Sequence, residues 1–307
     1  MRASDVAIET HGLSRSFGTH RGIVDVDLTV RPGEVFGFLG PNGAGKSTTI
    51  RILMGLYRAD SGSATVLGLH PMADAVEVHA HTGYLPGDLV LHRRTTGREL
   101  LERFGRIRGL RDTAYRDELV ERFGAEVDRP TETLSKGNRQ KLGVVLAFMH
   151  RPELVVLDEP TSGLDPLLQQ EFQQLLVETT RDGRTVFLSS HDLDEVQRVV
   201  DRLAIIREGR IVVTDTVEGL RAHAPRTIEL SFDHDIDLES VRHLEGVTVL
   251  SVAPDRTVRL TLSGSVAPFL RAVALLSPTD LRARPADLDE LFLDYYRDPS
   301  EEAARAR

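Results

Sequence analysis

Nine residues, Gly40-Pro41-Asn42-Gly43-Ala44-Gly45-Lys46-Ser47-Thr48, bring three glycines, a lysine and two hydroxyls to the junction between the apolar run "EVFGFLG" and the segment "TTIRILMGL". Glycines let a backbone turn tightly enough for several N–H groups to point inward, and the positive end of a following helix completes a nest for phosphate oxygens. In such a loop Lys46 reaches the β- and γ-phosphates and the Ser47 hydroxyl ligates Mg²⁺. The cradle is assigned to Asn42, Gly43, Gly45, Lys46, Ser47 and Thr48. The pattern G-x-x-x-x-G-K-[ST] arises by chance in roughly 1% of chains this long, so the strand before it and the helix after it separate a phosphate loop from a bare turn. These residue types point to a nucleoside triphosphate.

A second constellation is "LVVLDEP", an apolar run that ends in two adjacent carboxylates. A strand end at the carboxyl edge of a parallel sheet lies beside the phosphate site, which gives the two acids separate tasks. Asp158 holds Mg²⁺ through water; Glu159 orients or deprotonates the attacking water. The alternative is a solvated acidic turn, and the phosphate loop upstream argues against it. The pair favours hydrolysis over storage of nucleotide.

With these motifs in order, residues 5–220 resemble the ATP-binding cassette (ABC) ATPases. "LSKGNRQK" at 134–141 resembles that family's signature turn, which puts Ser135 and the Gly137 backbone at a helix start. Taken alone, Ser135 is a good helix cap. The resemblance further implies that "SGLD", ending at Asp165, is the D-loop, and that His191 after "TVFLSS" is the switch histidine facing the γ-phosphate. It also makes Phe17 in "RSFG" the aromatic that stacks on adenine. By themselves His191 is a loop histidine and Phe17 a core aromatic. Two departures stand out. Gly87 occupies the place of a Mg²⁺-ligating glutamine, where Asp88 or a water can substitute, and Lys136 and Asn138 replace glycine and glutamine in the signature. The Ser-Lys-Gly-Asn form, "GYLPGD" and the ending "LFLDYY" resemble the drug- and antibiotic-export branch that works with ABC-2 type permeases.

The resemblance implies ATP and Mg²⁺ as cofactors and a head-to-tail homodimer, since the family covers nucleotide on one chain with the signature turn of another. It also implies a place on the cytoplasmic face of the membrane, held there by an integral-membrane permease that helices around 88–120 contact. A nucleotide-gated regulatory subunit that signals without transport is the competing function.

The elements that must position these residues follow from periodicity. Val24, Val26, Leu28 and Val30 alternate as in an edge sheet, and "VFGFL", "LVVLD" and "TVFLSS" read as buried strands joined by crossover helices, one at about 166–181. Ile50, Leu53, Met54 and Leu56 share one helical face. The expected fold is an α/β P-loop NTPase core with an antiparallel β subdomain and a helical subdomain at about 88–150. A C-terminal α+β domain at 221–298, of βαββαβ ferredoxin-like order with a last helix at "ADLDELFLDYY", and a flexible tail at 299–307 complete it.

Composition narrows the classes. Of 307 residues, 40% are apolar and 28% charged, a globular balance, and the net charge of −9 argues against a nucleic-acid partner. Cysteine is absent, which excludes disulfides and thiolate metal sites. No apolar stretch approaches the ~20 residues that span a bilayer, and the start "MRASDVAIET" lacks the pattern of a signal peptide. "DHDID" has the spacing that opens a calcium loop, but Leu238 and Leu244 stand where glycine and glutamate are required, so it reads as a solvated turn.

Overall fold

The computed structural model describes residues 6–18, 20–223, 225–235 and 242–283. The chain divides into two compact units, Met1–Thr214 and Asp215–Arg307.

The first unit is built on two sheets. Strands β1 (Ile8–Phe17), β2 (His20–Val30) and β4 (Ser61–Val66) form an antiparallel sheet in the order β2-β1-β4. Strands β3 (Val35–Leu39), β5 (Thr82–Leu85), β6 (Leu154–Asp158), β7 (Thr185–Ser190), β8 (Arg202–Arg207) and β9 (Arg210–Thr216) form a six-stranded sheet, ordered β5-β6-β7-β3-β8-β9. Every residue of β3, β6 and β7 is buried, as expected of parallel strands covered on both faces. Parallel pairing of β6 with β7 and of β7 with β3 sets the carboxyl ends of all three side by side. The loops after those ends are therefore neighbours in space though far apart in sequence.

Helix α1 (Lys46–Leu53) starts directly from the glycine-rich turn, and Ile50, Ile52, Leu53 and Met54 enter the core. Leu56 does not: the helix has ended, Gly55 turns the chain at φ +64°, and Leu56 is exposed. Helix α2 (Ala75–His81) leads into β5. Helices α3 (Gly97–Ile107), α4 (Ala114–Phe123) and α5 (Lys136–Phe148) follow, the first opened by a capping box of Thr96 and Glu99. Helix α6 (Pro166–Arg181) makes the crossover between β6 and β7. Arg122 of α4 ties to α6 through Glu171 and Glu178.

The second unit carries an antiparallel sheet of β10 (Arg226–Ser231), β11 (Val247–Val252), β12 (Thr257–Leu262) and β13 (Asp280–Ala283), ordered β11-β12-β10-β13. First and third strands lie in the middle, the split βαβ arrangement. Ile228, Leu230, Val258, Leu260 and Leu262 alternate onto one face, where Phe269 and Val273 of the helix Val266–Leu275 cover them. The other face is polar, with Arg259 paired to Glu229 at 2.7 Å. Asp233 and Asp235 bind His234 and Arg256, the solvated-turn pattern. The expected last helix and the tail at 299–307 lie outside the described residues, as does most of the expected helix through Leu238 and Val241.

Candidate active site

The turn between β3 and α1 is shaped by close packing. A Cβ at Gly40 would meet the Ile206 carbonyl at 2.4 Å, and one at Gly45 would meet Ile23 at 2.7 Å. Gly45 has φ +113°, a conformation open to glycine, and it precedes α1 without any side-chain cap. The first N–H groups of α1 thus point out of the turn without a side-chain acceptor. A cleft of about 190 Å³ lies there, lined by Phe17, Gly22, Pro41, Asn42, Gly43, Gly45, Lys46, Ser47, Thr48 and Glu159.

Lys46 is 5% exposed, so its ammonium must be compensated within the site. Its Nζ donates to the Gly40 carbonyl at 2.5 Å and the Pro41 carbonyl at 3.3 Å, and lies 3.1 Å from Glu159 Oε1. The last contact is an ion pair rather than an aligned hydrogen bond, since Oε1 has no hydrogen-bond partner. The other oxygen of the same carboxylate, Oε2, is 2.7 Å from His191 Nδ1. Lys46 and His191 therefore grip Glu159 from two sides.

Backbone strain aims that carboxylate. Glu159 has φ +51°, a left-handed conformation that costs a non-glycine residue on the order of 1 kcal/mol and persists only where the surroundings enforce it. Ser189 on β7 is part of that enforcement. Its carbonyl and its hydroxyl oxygen both accept from Glu159 N at 3.2 Å, while its hydroxyl proton goes to Asp158 Oδ1 at 2.6 Å, fully buried. One serine thus fixes both acids of the pair. In the sequence it is hidden, because a hydroxyl after "TVFL" reads as a strand running on.

Asp158 is 2% exposed, and a Cβ at Gly87 would stand 3.2 Å from its Oδ2. The chain thus passes close over Asp158 at Gly87, and a side chain there would crowd that carboxylate. Tyr84 sits nearby, its hydroxyl pushed up to about 12 by burial and by the charge of Asp158.

Phe17 ends β1, 37% exposed at the rim of the cleft. Ser135, Gly137 and Asp165 do not line that cleft. The Ser135 hydroxyl accepts from Asn138 N at 3.1 Å as the cap of α5, and one oxygen of Asp165 accepts from Leu167 N and Leu168 N at 3.1 Å as the cap of α6. Around α5 three further contacts emerge. Gln140, buried, donates to the Pro160 carbonyl at 2.7 Å; Lys136 Nζ donates to Ser162 Oγ at 2.9 Å; and a Cβ at Gly137 would meet the Gly163 carbonyl at 2.8 Å.

A glycine-rich turn that opens a helix thus faces a strained glutamate, itself bonded to a histidine, at the carboxyl edge of a parallel sheet. The family model described as ABC transporter matches residues 23–162. Nod factor export ATP-binding protein I of Sinorhizobium fredii (strain NBRC 101917 / NGR234) is 34% identical over 305 residues, covering 94% of this chain and 86% of that one. The chain belongs to the ABC transporter ATP-binding subunits. The daunorubicin/doxorubicin resistance ATP-binding protein DrrA of Streptomyces peucetius is 33% identical over 311 residues, covering 96% and 94%. Among solved structures, a dimeric bacterial ABC transporter cassette, MJ0796, shares the fold with a TM-score of 0.62 at 21% identity, covering 68% of this chain and 98% of that one. As an ABC subunit the chain binds ATP and is an ATPase, turning ATP and water into ADP and phosphate. Among the described residues no helix is long and apolar enough to cross a membrane.

Proposed function

We propose that this ABC ATPase powers efflux of a small amphipathic drug-like compound through a separate integral-membrane permease of the ABC-2 type. It sits on the cytoplasmic side of that permease and works as a head-to-tail homodimer. The observation that carries the reading is the division of the motifs. Phe17, Asn42, Gly43, Gly45, Lys46, Ser47, Thr48 and Glu159 gather at one cleft, whereas Ser135, Gly137 and Asp165 stand apart from it, with the start of α5 at Ser135 and Gly137, exposed at Ser135, available to a second copy and Asp165 engaged as the cap of α6. Relatives named for Nod factor export and for daunorubicin/doxorubicin resistance support export of a small amphipathic cargo. The dimeric cassette supports the assembly.

In this reading the triphosphate lies along the loop 42–48, Lys46 neutralises its terminal oxygens, and Phe17 stacks on the base. Water attacks the γ-phosphorus as the bond to the bridging oxygen breaks. Glu159 takes the proton of that water, and His191 holds the carboxylate in line. The residues also fit Mg²⁺. Ser47 and Asp158 are hard oxygen donors, and no three His, Asp or Glu side chains among the described residues could hold a metal by themselves, so phosphate oxygens would complete the shell. The cation would neutralise charge on the transferring phosphoryl group. Binding closes the dimer and cleavage releases it, which is the motion delivered to the permease.

A second reading, a nucleotide-gated regulatory subunit without transport, is favoured by one observation. Gly87 has no side chain with which to report the nucleotide to a membrane partner. Purification from membranes separates the two. The export reading expects a six-helix permease to accompany the wild-type chain, and ATPase activity of the pair to rise with added amphipathic drug. A permease-free preparation whose activity ignores such compounds would sink it.

A further inference from the structure

Phe17 presents a puzzle of positioning. It ends β1, where the pairing with β2 slips between Leu13, Arg15 and Ser16 before closing on Phe17 opposite His20, and more than a third of it is exposed, so burial does not hold its ring. The pairing of β1 with β4 ends at Ser14 opposite Ser61. Immediately beyond that point, a single residue takes over on the β4 side. Asp60 N donates to the Ser14 carbonyl at 2.8 Å. Asp60 Oδ1 accepts from Arg15 Nη1 at 2.8 Å, and Oδ2 accepts from both Ser16 N at 2.8 Å and Ser16 Oγ at 2.9 Å. Each of the three residues before Phe17 is therefore fastened to Asp60.

The fastening reaches the ring. Arg15, held by Asp60, places its guanidinium 5.2 Å from the centre of the Phe17 ring, within cation–π range. Tyr57, three residues before Asp60, meets the ring edge-on at 5.6 Å and 64°. Tyr57 is itself held by Arg51, whose Nη1 donates to its hydroxyl at 3.2 Å. The Phe17 ring is thus held by Tyr57, on the loop that follows α1, and by Arg15 of its own strand, which Asp60 of that same loop fixes. The Ser16 backbone and hydroxyl hold the Asp60 carboxyl below the usual carboxylate range, with Arg15 adding to the effect, so it is ionised at neutral pH.

We propose that Asp60 is a positioning residue for base recognition: it locks the segment 14–16 so that the Phe17 ring offers a fixed face to the adenine of ATP. The inference rests on the reading of Phe17 as the adenine platform. Asp60 touches neither phosphate loop nor acid pair, so its contribution is to the base-dependent part of affinity alone. A stacked base is worth roughly tenfold or more in affinity.

The test uses the full-length chain, with equilibrium titration of ATP and of inorganic tripolyphosphate, both with Mg²⁺. Phe17→Ala is expected to weaken ATP about tenfold and leave tripolyphosphate unchanged. Asp60→Ala should weaken ATP about fivefold, again sparing tripolyphosphate, with Asp60→Asn, which keeps one acceptor oxygen, in between. In the double variant Phe17→Ala/Asp60→Ala the loss should equal that of Phe17→Ala alone, because without the ring there is nothing left to position. If Phe17→Ala leaves ATP affinity intact, the platform reading itself falls. If Phe17→Ala weakens ATP but Asp60→Ala does not, or weakens both ligands alike, or adds in full to the loss in the double variant, the role of Asp60 is overturned while the platform stands. Should Asp60→Ala fail to fold by circular dichroism, Asp60→Asn carries the same comparison.

Discussion

Helices α1 and α6 begin at the same edge of the same sheet, and the same dipole points outward from each, yet their first turns differ. Helix α6 closes its own start, with one oxygen of Asp165 accepting from two backbone N–H groups. Helix α1 starts from Gly45 with no side chain to cap it. Between them stands α5, whose Ser135 oxygen is occupied by Asn138 N but whose hydroxyl proton is free to be donated. The uncapped start of α1 differs from that of α6 in leaving its first donors without a side-chain acceptor, and the dipole alone does not distinguish the two cases.

That contrast can be attacked at four points. Glu159→Gln should lower ATP turnover by about 10²–10⁴-fold, the range for loss of a general base, while ATP still binds; phosphate release and an equilibrium titration measure the two quantities. Lys46→Ala should weaken ATP binding at least about a hundredfold, since a buried ammonium has no substitute in the open turn of α1. If binding survives, the N–H groups suffice and the lysine is secondary. Ser135→Ala decides the intermediate case: turnover in the presence of the permease should fall about tenfold or more with ATP affinity of the isolated chain unchanged, whereas a pure cap would lose only stability. Asp165→Ala should be the mildest, with loss of a cap costing about 1 kcal/mol and a melting temperature lower by roughly 2–4 °C. Severe loss of turnover there would mean that α6 is not closed in the working assembly.

Much of this was readable in advance. The strands β3, β6 and β7 announce themselves because burial on both faces demands unbroken apolar runs, and the polar residues that end those runs lie at the site by necessity. The glycine-rich turn was equally plain. What local pattern does not reveal is pairing. Ser189 fixes Asp158 and Glu159 only because β7 lies beside β6 in parallel register, a relation between segments 31 residues apart. Asp60 reaches Ser16 across 44 residues, and no periodicity in either segment signals it. The placement of Leu56 on the inner face of α1 failed for a related reason: periodicity was extended past a glycine that ends the helix. Gly87 is conspicuous in the sequence as a departure, but its closeness to Asp158 is a relation between two segments that no local pattern carries.

The three ties between α5 and the segment 159–163 have a consequence for movement. A buried amide bond, a surface lysine bond and a close approach of Gly137 to the Gly163 carbonyl couple the start of α5 to the segment that carries Glu159. Any tilt of α5 would therefore be felt at the peptide of Glu159, which makes the helix a lever arm laid against that carboxylate.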